Sequence, residues 1–281
     1  MSLANSFDFD LNGLIDMHIH TGPDVRPRLL DDIEAVRAAK EAGMHGLLIK
    51  SHVTLTADRA FIAEKTVGGI HVFGGLALNK YIGGFNPDSV EIALKMGAKV
   101  IWMPTLSALN ELKQSGETGG LTIFDENGKL RSEVIDIIDL IHHFDAILST
   151  GHLSADESVA LVKMALKRGL RKIVVSHPES PITRMPVDTQ AEILRKGIYF
   201  ERCYVNTTSA MNYAVTIQEI AAMIRKIGVT STLLTTDFGL ASLPPPVKGM
   251  QEYLARLTAE GFSRNEIGCM ACDNPSYLLD I

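Results

Sequence analysis

Two histidines one residue apart, His18 and His20, close the apolar run Leu14-Ile15-Asp16-Met17-His18-Ile19-His20. In a β-strand the side chains alternate faces, so both imidazoles point the same way, and Asp16 lies on that face one step deeper. Two imidazoles on one face of a strand end can hold one divalent ion. The pair is weak by itself. With nine histidines in 281 residues, composition alone gives such a pair in roughly one chain in four. Its weight depends on where the other ionisable residues fall. Lys50 and His52 end a second apolar run and share a face. His152 ends Ser149-Thr150-Gly151-His152, His177 ends Val174-Val175-Ser176-His177, and Asp237 ends Leu233-Leu234-Thr235-Thr236-Asp237. Ionisable side chains at the ends of apolar strands are costly unless they are paired or bind something.

The elements that must carry these residues alternate along the chain. Eight β-like runs are Gly13–His20, His45–His52, His71–Asn79, Lys99–Thr105, Ala146–His152, Lys172–His177, Ile198–Asn206 and Thr232–Phe238. Most are continuously apolar, as expected of strands covered on both faces. Amphipathic helices fit between them: Leu30–Ala42, Thr56–Thr66, a helix from Asn86-Pro87-Asp88 to Gly97, Ser154–Arg168, Asp188–Lys196, Thr216–Ile227 and Met250–Glu260, with a last helical piece through Cys269 towards Leu279. Most stop at glycine, and Ser154-Ala155-Asp156-Glu157 has the pattern of a capping box. The fourth connection is the longest. Leu106–Gly120 reads as polar and irregular, Leu121–Arg131 as a small hairpin around Glu126-Asn127-Gly128, and Ser132–Phe144 as a helix.

Eight strands alternating with helices predict a parallel sheet, either an open doubly wound one or a (β/α)8 TIM barrel. No glycine-rich phosphate loop follows the first strand, as the open form would favour. The expectation is therefore a single-domain α/β protein, a (β/α)8 barrel over residues 13–281 with a small hairpin insertion after the fourth strand and an N-terminal extension over residues 1–12. In a barrel the five strand-end histidines converge on one mouth. Of the other four, His45 and His71 begin strands, and His142 and His143 lie on a helix.

Composition bounds the partners. The chain is 46% hydrophobic and 21% charged, with net charge −6 and a pI near 5.8. It has no basic run and no apolar stretch of membrane-spanning length, so neither nucleic acid nor membrane is expected as a partner. Met1–Asp10 lacks the features of a signal peptide, and Met1-Ser2-Leu3 reads as an expression leader. Three cysteines make no disulfide framework, which fits a reducing cytoplasm. Cys269 and Cys272, a lone C-x-x-C in a helical stretch, read as core packing.

At this point the chain resembles the amidohydrolase superfamily of metal-dependent hydrolases. The matching pieces are His18-Ile19-His20 after the first strand, His152 after the fifth, His177 after the sixth and Asp237 after the eighth, with Asn274-Pro275-Ser276-Tyr277-Leu278-Leu279 similar to the start of that superfamily's final helix. The resemblance spans the whole barrel in the right order. It implies His18, His20, His152, His177 and Asp237 as metal ligands. His177 would alternatively polarise the substrate, and Asp237 would also take a proton from the attacking water. It implies a divalent cation, zinc first, with manganese, iron or nickel also compatible with such ligands.

One departure bears on the ion count. Two-metal members most often bridge their ions with a carboxylated lysine or a glutamate from the fourth strand. Here that strand ends Trp102-Met103-Pro104-Thr105. One ion is therefore expected rather than two. Lys50 is the alternative bridge, or a catalytic cation holding a substrate carboxylate, and Glu201 is another candidate acid. His52, Arg26, Arg28, Lys80 and Arg202, with Arg184, would form a cationic rim for a small anionic substrate. Asn79, Asn206 and Tyr81 are further hydrogen-bonding candidates. The expected reaction is hydrolysis of an amide, lactone or ester. The alternatives are a metal-dependent decarboxylase on the same scaffold and a barrel that binds a metal or ligand without turnover. A homo-oligomer is compatible with the fold by analogy.

Overall fold

The computed structural model describes residues 9–281. The leader at Met1–Leu3 and most of the segment read against a signal peptide lie outside the described residues. Eight short strands form one parallel sheet in sequence order: β1 (Ile15–Ile19), β2 (Gly46–Ile49), β3 (His71–Ala77), β4 (Val100–Trp102), β5 (Ile147–Ser149), β6 (Ile173–Val175), β7 (Ile198–Cys203) and β8 (Thr232–Thr235). The ring closes where Ile19 bridges Phe238 in parallel. There the His20 N–H donates to Phe238 O at 2.7 Å and the Asp237 N–H to His18 O at 2.8 Å. The expected (β/α)8 barrel is present.

The helices are α1 (Asp32–Glu41), α2 (Ala57–Val67), α3 (Pro87–Lys95), α4 (Leu109–Gln114), α5 (Ser132–His143), α6 (Ala155–Lys167), α7 (Val187–Ile193), α8 (Ile217–Ile227), α9 (Pro246–Ala259), α10 (Arg264–Gly268) and α11 (Asn274–Leu279). Local chemistry sets their starts. Asp31 caps α1, Ser154 caps α6 and Thr216 caps α8, each with a glutamate at the third helical position closing a capping box. Pro87 opens α3 behind an Asn86 cap. Among the described residues, no helix is long and apolar enough to cross a membrane.

Two apolar layers hold the barrel. Outer strand faces pack against the helices. The interior is filled by Ile15, Met17, Leu48, Val100, Trp102, Ile147, Val174 and Leu233, with Leu278 and Leu279 of α11 against its N-terminal end. Burying one such side chain fully stabilises the fold by about 1.5–3 kcal/mol.

The fourth connection differs from expectation. The hairpin reduces to one antiparallel bridge, Phe124 with Leu130, around Asp125–Lys129 and a left-handed Gly128 at φ 73°. Residues 106–120 are not wholly irregular: they contain α4, six residues long with none buried. A helix without a buried face leaves no apolar period in the sequence. The strands are also shorter than the apolar runs, so His20, Lys50, His52, His152, His177 and Asp237 stand beyond the last strand residue, on βα turns, while His18 is still within β1.

Candidate metal centre

The first strand delivers what its alternation predicts. His18 Nε2 and His20 Nε2 each lie 3.1 Å from Asp237 Oδ1, and the three groups together could hold one metal ion. Donor atoms about 2 Å from one tetrahedral ion stand about 3 Å from each other, so this spacing fits a shared cation. All five strand-end histidines form one continuous cluster. Ring centroids are 5.2 Å apart for His18–His20, 4.8 Å for His20–His52, 5.9 Å for His52–His152, 5.0 Å for His152–His177 and 6.3 Å for His18–His177.

The backbone is held under strain to make this possible. Asp237 (φ 54°) and His177 (φ 24°) are non-glycine residues in the left-handed region, a conformation that costs about 1–3 kcal/mol each. Gly239 is required beside them, since a Cβ there would stand 1.9 Å from His20 O. That close approach is where the segment after β8 closes on the end of β1.

Hydrogen bonds orient the rings. His18 Nδ1 lies 2.9 Å from Glu201 Oε1. With Nδ1 turned to that carboxylate, Nε2 is the nitrogen facing Asp237 and the one that would ligate an ion. Cys203 Sγ is 3.9 Å from the same Nδ1. His18, Glu201 and Cys203 form a second potential donor group, but Nδ1 cannot both donate to Glu201 and ligate. His52 Nδ1 meets Thr105 Oγ1 at 2.8 Å, and His152 Nδ1 meets Glu111 Oε2 at 3.0 Å. His177 Nδ1 is buried without a hydrogen-bond partner, which suits a ring whose partner is an ion or a substrate. Lys50 Nζ is 3.1 Å from His18 Nε2 and 5.3 Å from the centre of the Trp102 ring.

Burial sets the charge states. It pushes His20 and His177 down to about 3 and lowers His52 and His152 as well, leaving the neutral form that ligates. For His18 burial acts downwards too, but the charges of Asp237 and Glu201 outweigh it and raise the ring to about 9. Burial works against the Asp237 carboxylate, yet the charge of His18 and hydrogen bonds from His18 and His20 hold it well below its ordinary value. Burial also lowers the Lys50 ammonium. Beneath the rings Asp16 is pushed up to about 7 by burial, while accepting from the Thr236 hydroxyl at 2.6 Å. Burial thus drives protons off most of these nitrogens, the state in which they can ligate.

The rim is only partly assembled. Arg28 is bound to Asp24 at 2.7 Å and reaches within 3.5 Å of His20 Nδ1, at the edge of the centre. Arg26 and Lys80 are exposed, Lys80 over the Tyr81 ring at 5.5 Å. Arg184 is exposed as well, donating to Pro181 O at 2.7 Å. Arg202 is a correction. Its side chain is fully buried on the outer face of β7, bonded to Glu179 at 2.8 Å and Gln190 at 2.6 Å. Because β7 continues through Cys203, alternation turns Glu201 inward and Arg202 towards α7 and α8. It cannot reach a substrate at the mouth.

Asn79 is saturated by His52 O, Thr105 and Ser107 and ties three turns together. Asn206 donates to Glu179. Cys269 and Cys272 are free and half-buried, Cys272 against the core. Glu111 carried no signal in the sequence, since it lies on α4 in a polar stretch.

Residues 13–201 match the model of a family of unknown function, DUF6282. No curated protein matches the chain in sequence. Solved structures share its fold. The organophosphorus hydrolase from Deinococcus radiodurans is 13% identical with a TM-score of 0.64, covering 96% of this chain and 93% of that one. The phosphotriesterase homology protein from Escherichia coli, complexed with phosphate in its active site, is 12% identical with a TM-score of 0.62, over 96% and 100% of the two chains. An amidohydrolase from Pseudomonas aeruginosa is 11% identical with a TM-score of 0.62, over 95% of each. The likeness is that of the barrel.

Proposed function

The chain belongs to DUF6282, a family of unknown function, and we propose that it is a metal-dependent hydrolase of the amidohydrolase type. Its target would be an amide, lactone or ester bond of a small anionic substrate. The observation that carries this reading is the mutual 3.1 Å approach of His18 Nε2 and His20 Nε2 to Asp237 Oδ1, inside a cluster of buried imidazoles. His18, His20 and Asp237 would hold one divalent ion, with His152 and His177 completing its surroundings. Zinc suits this donor set, as manganese, iron or nickel would. A divalent ion there supplies Lewis acidity and makes water acidic enough to attack at neutral pH.

The chain's own groups do the rest. Asp237, with 19% of its side chain exposed, is the most open of the three and takes the proton from the attacking water, then returns it to the leaving group. His177, with an unpartnered ring nitrogen, polarises the oxygen under attack. Lys50 offers its amine to the substrate's acid group, and Arg28 beside His20 adds positive potential at the edge. The shared barrel of an organophosphorus hydrolase and of a protein holding phosphate in its active site supports an ester-like, anionic substrate class. The three free cysteines are what a cytoplasmic protein would carry.

The test is turnover of a panel of lactones, carboxylic esters, N-acyl amino acids and phosphotriesters by zinc- or manganese-reconstituted protein, in water enriched in oxygen-18. Heavy oxygen in the acid product supports hydrolysis. Release of carbon dioxide from a carboxylic acid, without heavy-oxygen uptake at a cleaved bond, would replace this reading with a decarboxylase.

A further inference from the structure

The β4–α5 connection does more than link two elements. Its short helix α4 lies over the barrel mouth and contacts both later histidine turns. Glu111 Oε2 stands 3.0 Å from His152 Nδ1. Asn110 Nδ2 donates to His152 O at 3.1 Å and to Ile182 O at 2.8 Å, and Gln114 Nε2 also donates to Ile182 O. Ile182 lies on the turn that begins at His177. One six-residue helix therefore grips the turns that carry His152 and His177.

The backbone of His152 is already fixed without Glu111. Its N–H donates to Pro104 O at 3.0 Å and its carbonyl accepts from Asn110. What these bonds leave free is the side chain: the rotation of the ring and the position of its single proton. A neutral imidazole carries a hydrogen on one nitrogen and a lone pair on the other. A carboxylate has lone pairs only, so a ring nitrogen bonded to it must be the one that bears hydrogen.

We propose that Glu111 is a positioning residue that holds His152 as the Nδ1–H tautomer, with bare Nε2 turned to the other histidines. The inference rests on the reading of His152 as part of the metal centre, but the tautomer itself can be read without any metal or turnover. Glu201 meets the Nδ1 of His18 in the same geometry from inside the barrel, at 2.9 Å. The two differ in what carries them. Glu201 is on a strand and buried, whereas Glu111 is on a helix with no buried residue. Setting of His152 thus depends on α4 remaining docked.

The experiment is long-range nitrogen-15 correlation spectroscopy of histidine rings in chelator-treated protein at neutral pH, with His152 assigned from its absence in His152→Gln. Three proteins are compared: the unmodified chain, Glu111→Ala, and Gln114→Ala, which removes one contact of α4 and leaves it docked through Asn110 and Glu111. The unmodified chain and Gln114→Ala should show a protonated Nδ1 and a bare Nε2 on His152. Glu111→Ala should show the opposite tautomer or an exchanging mixture, with the other histidine signals in place. Zinc affinity, measured by competition with a chromophoric chelator, should fall about 10–100-fold in Glu111→Ala and less than threefold in Gln114→Ala. The inference is overturned if His152 in the unmodified chain carries its proton on Nε2, or if Glu111→Ala leaves the ring signature and zinc affinity unchanged. A protein that shows the expected tautomers but turns over nothing would count against the hydrolase and not against this role of Glu111.

Discussion

The two ends of the barrel both carry a histidine pair, and among the described residues only the pair at one end belongs to a group of donors that could hold an ion. At the N-terminal end His45 and His71 stand 4.9 Å apart, edge to face. His45 is exposed and His71 half-buried. Glu64, which lines the same cleft, accepts the Val72 N–H at 2.7 Å through Oε2. Among the described residues, neither histidine belongs to a group of donors that could hold an ion. At the C-terminal end His18 and His20 are buried, and share one carboxylate oxygen at 3.1 Å. The difference is burial with a common acid, not the number of imidazoles. Solvated histidines gain little from each other, whereas buried ones must be resolved by a cation or a proton.

The ends also differ in what they contribute to stability. The N-terminal end is sealed by Leu278 and Leu279 and pinned by Asp280, which binds Lys99 and Lys172 at 3.2 and 2.5 Å. The C-terminal end instead carries several buried ionisable groups, Lys50, His152 and His177 among them, which oppose folding unless they are paired or bind something. Substitutions at the two ends should therefore separate function from fold.

The largest effect belongs to the mouth. Asp237→Asn should lower kcat/KM on whichever panel substrate is turned over by about 10²–10⁴-fold, while the urea midpoint moves little. Loss of folding with no specific loss of rate in the folded fraction would erase the contrast. At the opposite end Leu278→Ala should destabilise the chain by about 2–5 kcal/mol, read from urea unfolding, while bound metal per folded chain stays the same. A change in metal content there would couple the two ends.

The metal-free protein should weaken as pH falls from about 6.5 towards 4, watched by thermal unfolding. His20 and His177, held down to about 3 in the fold, take up protons in that window only when unfolded. Asp16, raised to about 7, is protonated in the fold there and opposes them. His52 and His152, lowered as well, act in the same sense, so the unfolded chain binds at least about one proton more, a slope of at least about 1.4 kcal/mol per pH unit. A flat profile would mean the rings are not held neutral. The smallest effect is expected for His45→Ala with His71→Ala: less than about 0.5 kcal/mol per site, with metal content unchanged.

Much of this contrast was legible in the sequence because it follows from alternation and strand ends. Continuous apolar runs marked the eight strands, and His18, His20, His52, His152, His177 and Asp237 stood where those runs stopped. Arg202 was misplaced for the same reason the others were found. The apolar run was taken to Asn206 and Arg202 was placed in the rim for lying near its end, but β7 stops at Cys203 and a 3-10 turn follows over Tyr204–Thr207, so Arg202 sits inside the strand. Anchoring on Glu201 and Cys203 would have turned Arg202 outward. Glu111 was beyond reach because α4 buries nothing and its partner is 41 residues away. Neither period nor cap announces a polar helix that is tied to the turns by side-chain hydrogen bonds.

The central claim is most directly tested by elemental analysis of protein purified without a chelating column, beside a His18→Ala, His20→Ala double variant that remains folded by circular dichroism. The account predicts about one equivalent of zinc or a similar divalent ion per chain, lost in the variant. No bound metal in the unmodified chain, even after reconstitution with zinc or manganese, would contradict it.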